Sequence, residues 1–489
     1  LPDVDREDHV TAEAHPTPAT EPLWRWSAAA LAAAIRAGEL SCTEVTAACL
    51  ARVAEVNPKL NALVDVGAER ALAAAAAADR APALGPLHGV PIAIKDNVDE
   101  AGLVNSGGIA AAAAAVAAQD APVVANLRDA GAISIGRSNV PAFSLRWFSD
   151  NELYGRTLNP WDAGKTPGGS SGGAAAAVAA GMVPLAHGND IGGSVRYPAH
   201  VCGVLGLRPT VGRIPSWVTP SEQVPGLPPA PALMAVEGVL ARTVDDLALG
   251  LQAMARPDLR DPTCVPAPFA REAPLAPGAT LGLLRGVEGL ATPHASHDAA
   301  LDEAAARLRD AGFAVEEVAL PQLEEAHRLW LLLLHADLLG QLELIRALGG
   351  EAIVRNLDNT YAMLAEVWGE PDLGLYVHGH LRRTALIAEV QHVLAHYPAI
   401  VMPAAAGVTP DHDADQEPGS ARALLDAQWP NTTVPLLGLP ALTLPTGVAD
   451  GLPSGVQLLA GRFRESWLLD VAAAIEARGP APAPIDPVF

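Results

Sequence analysis

The chain has 489 residues, of which 50% are hydrophobic and 18% charged, a globular composition with ample apolar material for a core. Its 32 basic and 55 acidic residues leave a net charge of −23 with no basic run, which argues against nucleic acid and anionic membranes as partners. The four cysteines, Cys42, Cys49, Cys202 and Cys264, form no CxxC pair and stand beside no histidine cluster, so neither a metal site nor a disulfide framework is expected and a reducing, cytoplasmic setting fits.

Residues 1–23 are rich in Pro, Thr, Glu and Ala without periodicity and read as a flexible N-terminal arm. "SAAALAAAIRAG" predicts a helix capped by Ser27 and stopped at Gly38. The next helix opens on a capping box, Ser41 and Glu44, with Pro58 expected just beyond its end. In "GVPIAIKDN", Val90, Ile92 and Ile94 alternate as in a strand, which puts Lys95 on the opposite face at the strand's end. "DAPVVANLRDAGAISIGRSN" reads as helix, glycine turn and strand; the alanine run 110–115 fits helix or loop equally.

"GGAAAAVAAG" is a helix opened by Gly172–Gly173 and closed by Gly181, followed by a short buried strand, "MVPLAHG", and a turn back through "GNDIGGSVRYPA". Pro215–Pro268 is looped at its start and ends in a helix capped by Thr243. Helical patterns dominate 295–400, with strands at 280–285 and 313–318. The apolar run Leu329–Gly340 contains His335 and Asp337, is too short to span a bilayer and reads as a buried helix. "YPAIVMPA" and "LPALTLPTG" predict further strands, and "ESWLLDVAAAIEARG" an amphipathic helix stopped by Gly479. Alternating strands and helices predict an α/β fold. Length alone suggests about three domains, but without a clear linker one large domain, 24–489, is expected.

Several motifs nearly match. "AGKT" (Ala163–Thr166) ends like a P-loop, but Asn159 holds the place of its first glycine. Gly169–Gly173 satisfies G-x-S-x-G, yet "NPWDAGKTP" before it is not the apolar strand a nucleophile elbow needs. "DHDADQ" (Asp411–Gln416) resembles a calcium loop without its glycine or its final glutamate and reads as a solvated acidic loop.

Two glycine-flanked serine clusters carry more. Ser170 and Ser171 precede a helix N-terminus, where developing negative charge is favoured. Ile191-Gly192-Gly193-Ser194 offers successive backbone N–H groups with little side-chain bulk, the material of an oxyanion hole. A serine nucleophile needs a base; His187, His200 and Lys95, one of three lysines, are the candidates.

"GGSSGGAAAAVAAGMVPLAHGNDIGGSVRYPAHVCGVLGLRPT", with "HGVPIAIKDN", "GRSNVPAF…NPWD" and "LPALTLPTGVADGLPSGVQLLAGRFRE", resembles the amidase signature family of serine hydrolases over most of 27–215 and 395–475. The resemblance implies a single large domain with a central mixed β-sheet flanked by helices, a signature core about 85–215 and a variable helical region about 220–395. It implies a Ser–cis-Ser–Lys triad: Lys95 as base, Ser170 as bridge after a cis Gly169–Ser170 peptide, and Ser194 as nucleophile. The resemblance also implies the choice within the first cluster: set in the family's register, the spacing to Ser194 selects Ser170 over Ser171 for the bridge. It further implies an oxyanion hole at Ile191, Gly192, Gly193 and Ser194, with Ser171, Asp190 and Arg196 in support and no cofactor.

Asn189 stands where the family commonly has Thr, Ala142 where it has Glu, and Ala174 where Ser is frequent. None of the three is expected to touch the triad, and Ala142 is expected to widen a pocket wall. Leu145, Trp147 and Phe148, with Ala142, are the expected substrate-binding residues. They suit an apolar or aromatic group on a small-molecule amide, with aryl esters and carbamates (urethanes) presenting the same electrophile. A monomer or homodimer is expected. An amidotransferase-type subunit of a larger complex and an inert binding module of the same fold are the alternatives.

Overall fold

Alternating apolar strands and capped helices build one continuous sheet in the computed structural model, which describes residues 21–220, 226–480, 483–487 and 489. Its strands are β1 (Leu63–Val66), β2 (Pro91–Lys95), β3 (Ile133–Ser138), β4 (Leu185–Asp190), β5 (Leu205–Arg208), β6 (Val236–Ala241), β7 (Thr280–Leu283), β8 (Ala314–Glu317), β9 (Ile400–Pro403), β10 (Ala441–Ala449) and β11 (Leu452–Leu459). They lie in the order β1-β3-β2-β4-β6-β5-β10-β11-β9-β7-β8. β2 runs parallel to β3 and β4, and β7 parallel to β8 and β9; the other pairs are antiparallel, so the sheet is mixed as expected.

Side-chain alternation along β2 decides where the lysine goes. Ile92 and Ile94 enter the core layer that also holds Leu247, Leu301 and Leu468. Ala93 faces the other layer, beneath the helix Gly172–Ala179, and Lys95, two residues on, shares that face. This helix is buried on every side. Its alanines let it lie close to the sheet, bringing the serines before it to the ends of β2 and β4.

The capping signals form the expected structures. Ser27 accepts from Ala30 N–H, Ser41 and Glu44 make both bonds of the capping box, and Thr243 accepts from Asp246 N–H. The run Leu329–Gly340 lies largely in the buried helix Gln322–Leu338. Pro58, expected beyond its helix, lies inside the last turn of Cys42–Leu60. The helix closes on left-handed Asn61, whose N–H reaches Asn57 O at 2.7 Å. β1, β5, β6 and β11 went unanticipated, and the turn back after β4 leads into a helix, Arg196–Cys202. Ala110–Ala112 forms a single 3₁₀ turn. The expected N-terminal arm lies outside the described residues up to residue 20; Leu23 opens a 3₁₀ turn ending at Arg25. No described helix is long and apolar enough to cross a membrane.

Candidate active site

The site forms where β2 and β4 end beneath the helix Gly172–Ala179. Lys95, the last residue of β2, is fully buried. Its Nζ donates to Ser170 Oγ at 2.7 Å and to Asn189 Oδ1 at 2.6 Å. Burial lowers its pKa to about 7, against the raising pull of the Glu237 and Asp190 carboxylates. A far larger share of the amine is then neutral near pH 7 than the about one in 2,500 of an unperturbed lysine.

The Gly169–Ser170 peptide is cis, as the resemblance implied. Gly169 has to be glycine because the 146–148 backbone lies against it: an added Cβ would stand 2.5 Å from Phe148 N. Ser149 Oγ accepts from Gly172 N–H and donates to Gly168 O, both at 3.0 Å, pinning this turn from the side. The two serine clusters are joined directly, since Ser171 N–H donates to Ser194 O at 3.1 Å and Ser171 Oγ to Asn189 O at 3.4 Å.

Asp190 and Arg196 brace the second cluster. Arg196 binds the Asp190 carboxylate through Nε at 3.0 Å and Nη2 at 2.9 Å, and Gly193 and Val195 donate their N–H groups to the same carboxylate. Arg208, which the sequence reading missed, adds Nη1 bonds to Asp190 O at 2.6 Å and Oδ1 at 3.3 Å. Burial would raise this carboxyl's pKa, but the two guanidinium groups hold it well below the usual range. Gly193 therefore departs from the expected oxyanion hole, because Asp190 Oδ1 already takes its N–H at 3.0 Å. The N–H groups of Ile191, Gly192 and Ser194 have no hydrogen-bond partner among the described residues.

Ser194 Oγ makes no hydrogen bond among the described residues, and Ser194 lines an apolar-walled cleft. Leu145 and Trp147 line the cleft, joined by Trp330, Leu334, His335 and Met363. Trp147 and Trp330 stack with centroids 6.1 Å apart. Their indole N–H groups hold the loop carbonyls: Trp147 Nε1 donates to Gly192 O at 2.9 Å and Trp330 Nε1 to Ile191 O at 2.7 Å.

Ala142 and Phe148 do not line the cleft. Ala142 packs among Ile345, Ile353 and Leu357, so the small residue fills a core position and widens no pocket wall. Phe148 is buried with Arg146 over its ring. Asn189 corrects a second expectation, for it touches Lys95 itself. The acidic loop is not solvated throughout either: Asp415 is buried and grips the buried Arg146 guanidinium with two 2.6 Å bonds, because a desolvated guanidinium needs such a partner. His187 pairs with Glu237 at 2.8 Å, and burial lowers the His200 pKa to about 3; neither bonds Ser194. Among the described residues no group of three or more His, Cys, Asp or Glu side chains could hold a metal.

The amidase family's profile matches residues 44–469. The chain is 41% identical over 465 residues to an indoleacetamide hydrolase of Bradyrhizobium diazoefficiens, covering 94% of this chain and 87% of that one. It is 33% identical over 476 residues to a glutamyl-tRNA(Gln) amidotransferase subunit of Chloroflexus aggregans, covering 91% and 94%. A solved structure of 6-aminohexanoate cyclic dimer hydrolase complexed with substrate superposes with a TM-score of 0.80 at 29% identity, over 94% of this chain and 99% of that one. Fold and matches together define an amide C–N hydrolase. The chain belongs to the amidase signature family.

Proposed function

We propose that this enzyme hydrolyses amides bearing an aromatic ring near the scissile carbonyl, through an acyl-enzyme on Ser194. The observation that carries the reading is Ser194 Oγ, free of partners at the edge of a cleft walled by Trp147, Trp330 and Leu334. In the proposed cycle, neutral Lys95 takes the proton of Ser170, and Ser170 takes that of Ser194. Ser194 Oγ bonds to the acyl carbon as the carbonyl π pair moves to oxygen, and the N–H groups of Ile191, Gly192 and Ser194 face that oxyanion. The pair returns, the C–N bond breaks, and the relay protonates the departing amine. Water then cleaves the ester by the same steps. The Ser194–Ser170 bond is absent here and closes in the substrate complex. Aryl esters and aryl carbamates offer the same carbonyl and are proposed as further substrates.

The indoleacetamide hydrolase likeness supports a primary amide with an arylalkyl acyl group. An aryl group that buries about 100 Å² against the cleft contributes about 2.5 kcal/mol, or about 70-fold in kcat/KM. The test is a series of arylacetamides, anilides, aryl esters and aryl carbamates against acetamide and free glutamine. Preference for acetamide or glutamine would refute the aromatic reading. The amidotransferase-subunit reading rests on 32–35% identity to several such subunits; it requires copurifying partners and glutaminase activity only in their company. Failure of a fluorophosphonate to label Ser194 would favour an inert binding module.

A further inference from the structure

Three side chains continue from Lys95 toward the cleft. Asn189 Nδ2 donates to Asn97 Oδ1 at 3.0 Å, and Asn97 Nδ2 donates back to Asn189 Oδ1 at 3.2 Å. Asn97 Nδ2 also reaches Ser144 Oγ at 3.0 Å, and Ser144 lines the cleft. This reciprocal amide pair and the Lys95 ammonium, which can only donate, together fix which end of Asn189 meets the lysine. Were Asn189 turned over, its NH₂ would face both the Lys95 amine and the Asn97 NH₂, donor against donor. We infer that Asn189, held in one orientation by Asn97, is the positioning residue for the Lys95 amine. The inference rests on the reading of Lys95 as the base.

A neutral amine has two N–H bonds and one lone pair. Giving one N–H to Asn189 Oδ1, 2.6 Å away, aims the lone pair at Ser170 Oγ, 2.7 Å away, from which it must take a proton. The ammonium form donates to both oxygens. Asn189 therefore also favours the charged form without adding a charge, opposing burial. The charged and titratable groups facing Lys95 are Asp190 and His187 on β4 and Glu237 on β6. Among the described residues none of these bonds Nζ; His187 Nδ1 accepts only the Lys95 backbone N–H, at 3.4 Å. Asn189 and Ser170 are the two groups that do.

The experiment compares the full-length parent with Asn189→Leu and the near-isosteric Asn189→Asp. One readout is the pH profile of kcat/KM. The other is NMR of the protein labelled at the lysine ε-carbons, where Lys59, Lys95 and Lys165 give three signals and Lys95→Met identifies the relevant one. Asn189→Leu removes the acceptor: the Lys95 titration and the acid limb of the profile move to lower pH, and the plateau rate falls roughly tenfold as the amine loses its aim. Asn189→Asp adds a negative charge and moves both to higher pH by about one unit or more. Opposite shifts support the inference. Titrations that stay with the parent, or shift in one direction in both variants, overturn it. If the Lys95 signal titrates away from the kcat/KM limb in the parent, the base reading fails, while the NMR shifts still judge Asn189's hold on the amine.

Discussion

Gly192→Ala tests whether the tryptophan wall sets the shape of the loop beside Ser194. Gly192 has no left-handed φ to forbid a side chain, so the obstacle is one of space. A Cβ there would stand 2.6 Å from Trp330 Cζ2, about 1 Å short of an ordinary carbon contact of roughly 3.5 Å. Trp330 is only 5% exposed, stacked on Trp147 and bonded to Ile191 O, so it cannot swing away freely. If the loop yields, a backbone donor leaves its place, an effect worth about 100-fold or more in kcat. If the indole yields, its hydrogen bond is lost, at about 1 kcal/mol. We expect Gly192→Ala to lower kcat about 100-fold and stability by about 1–3 kcal/mol. Trp330→Phe alone removes the indole N–H and costs about fivefold. Because it also vacates the ring atoms that meet the new Cβ, adding it to Gly192→Ala should restore about tenfold; set against the fivefold cost of Trp330→Phe alone, that is a coupling of about 50-fold, or about 2.3 kcal/mol. Steady-state hydrolysis of an arylacetamide and thermal unfolding of the four proteins complete the cycle. Additive losses, or normal turnover in Gly192→Ala, would refute the reasoning.

Ser194→Ala should abolish turnover and fluorophosphonate labelling with an unchanged melting temperature; retained turnover, together with its loss in Ser171→Ala, would reassign the nucleophile. Lys95→Ala should lose several orders of magnitude in rate. Since the base must be neutral, parental kcat/KM should rise as pH passes through about 7, and a rate that depended on His187 instead would return the site to a histidine mechanism. Asp190→Asn leaves Arg196 and Arg208 buried without their counter-charge and should destabilise the fold by about 3–5 kcal/mol. The depressed carboxyl stabilises above the ordinary carboxylate pKa and loses that contribution as pH falls through its native value. The Asp190→Asn protein should therefore show a flatter acid side in denaturant titrations, and an unchanged acid side would count against the pairing.

What could be read from the sequence was local. Lys95 at the end of an alternating strand, serines between glycines, and Ser27, Ser41 and Thr243 before apolar runs each carry their physics within a few residues. Trp330 could not be found that way: it lies 139 residues from Ile191, among leucines of an apolar run that reads as core. The segment after Pro141 shows the limit at short range. Leu145 and Trp147 reach the cleft while Ala142 and Phe148 enter the interior, a choice set by chain segments far away in sequence. β11 was hidden because Pro453, Ser454 and Gly455 resemble a turn. Asp450-Gly451, both at positive φ, join it to β10 in a two-residue hairpin, the signal that would have found it.

The indole bonds to Ile191 O and Gly192 O have a consequence for protein engineering. Lys95, Ser170 and Ser194 come from one stretch of about a hundred residues, whereas much of the cleft wall comes from helices after residue 320. That division invites exchanging the later helices to change what the cleft accepts while the earlier segment is kept. Trp330 makes the two parts less separable than they look, because the wall supplies a donor to the backbone beside Ser194. A graft that matches the new substrate but brings no N–H to Ile191 O would loosen the loop it was meant to leave alone. Libraries of such chimaeras should hold Trp147 and Trp330 fixed and vary Leu334, Met363 and Leu424, which shape the same cavity.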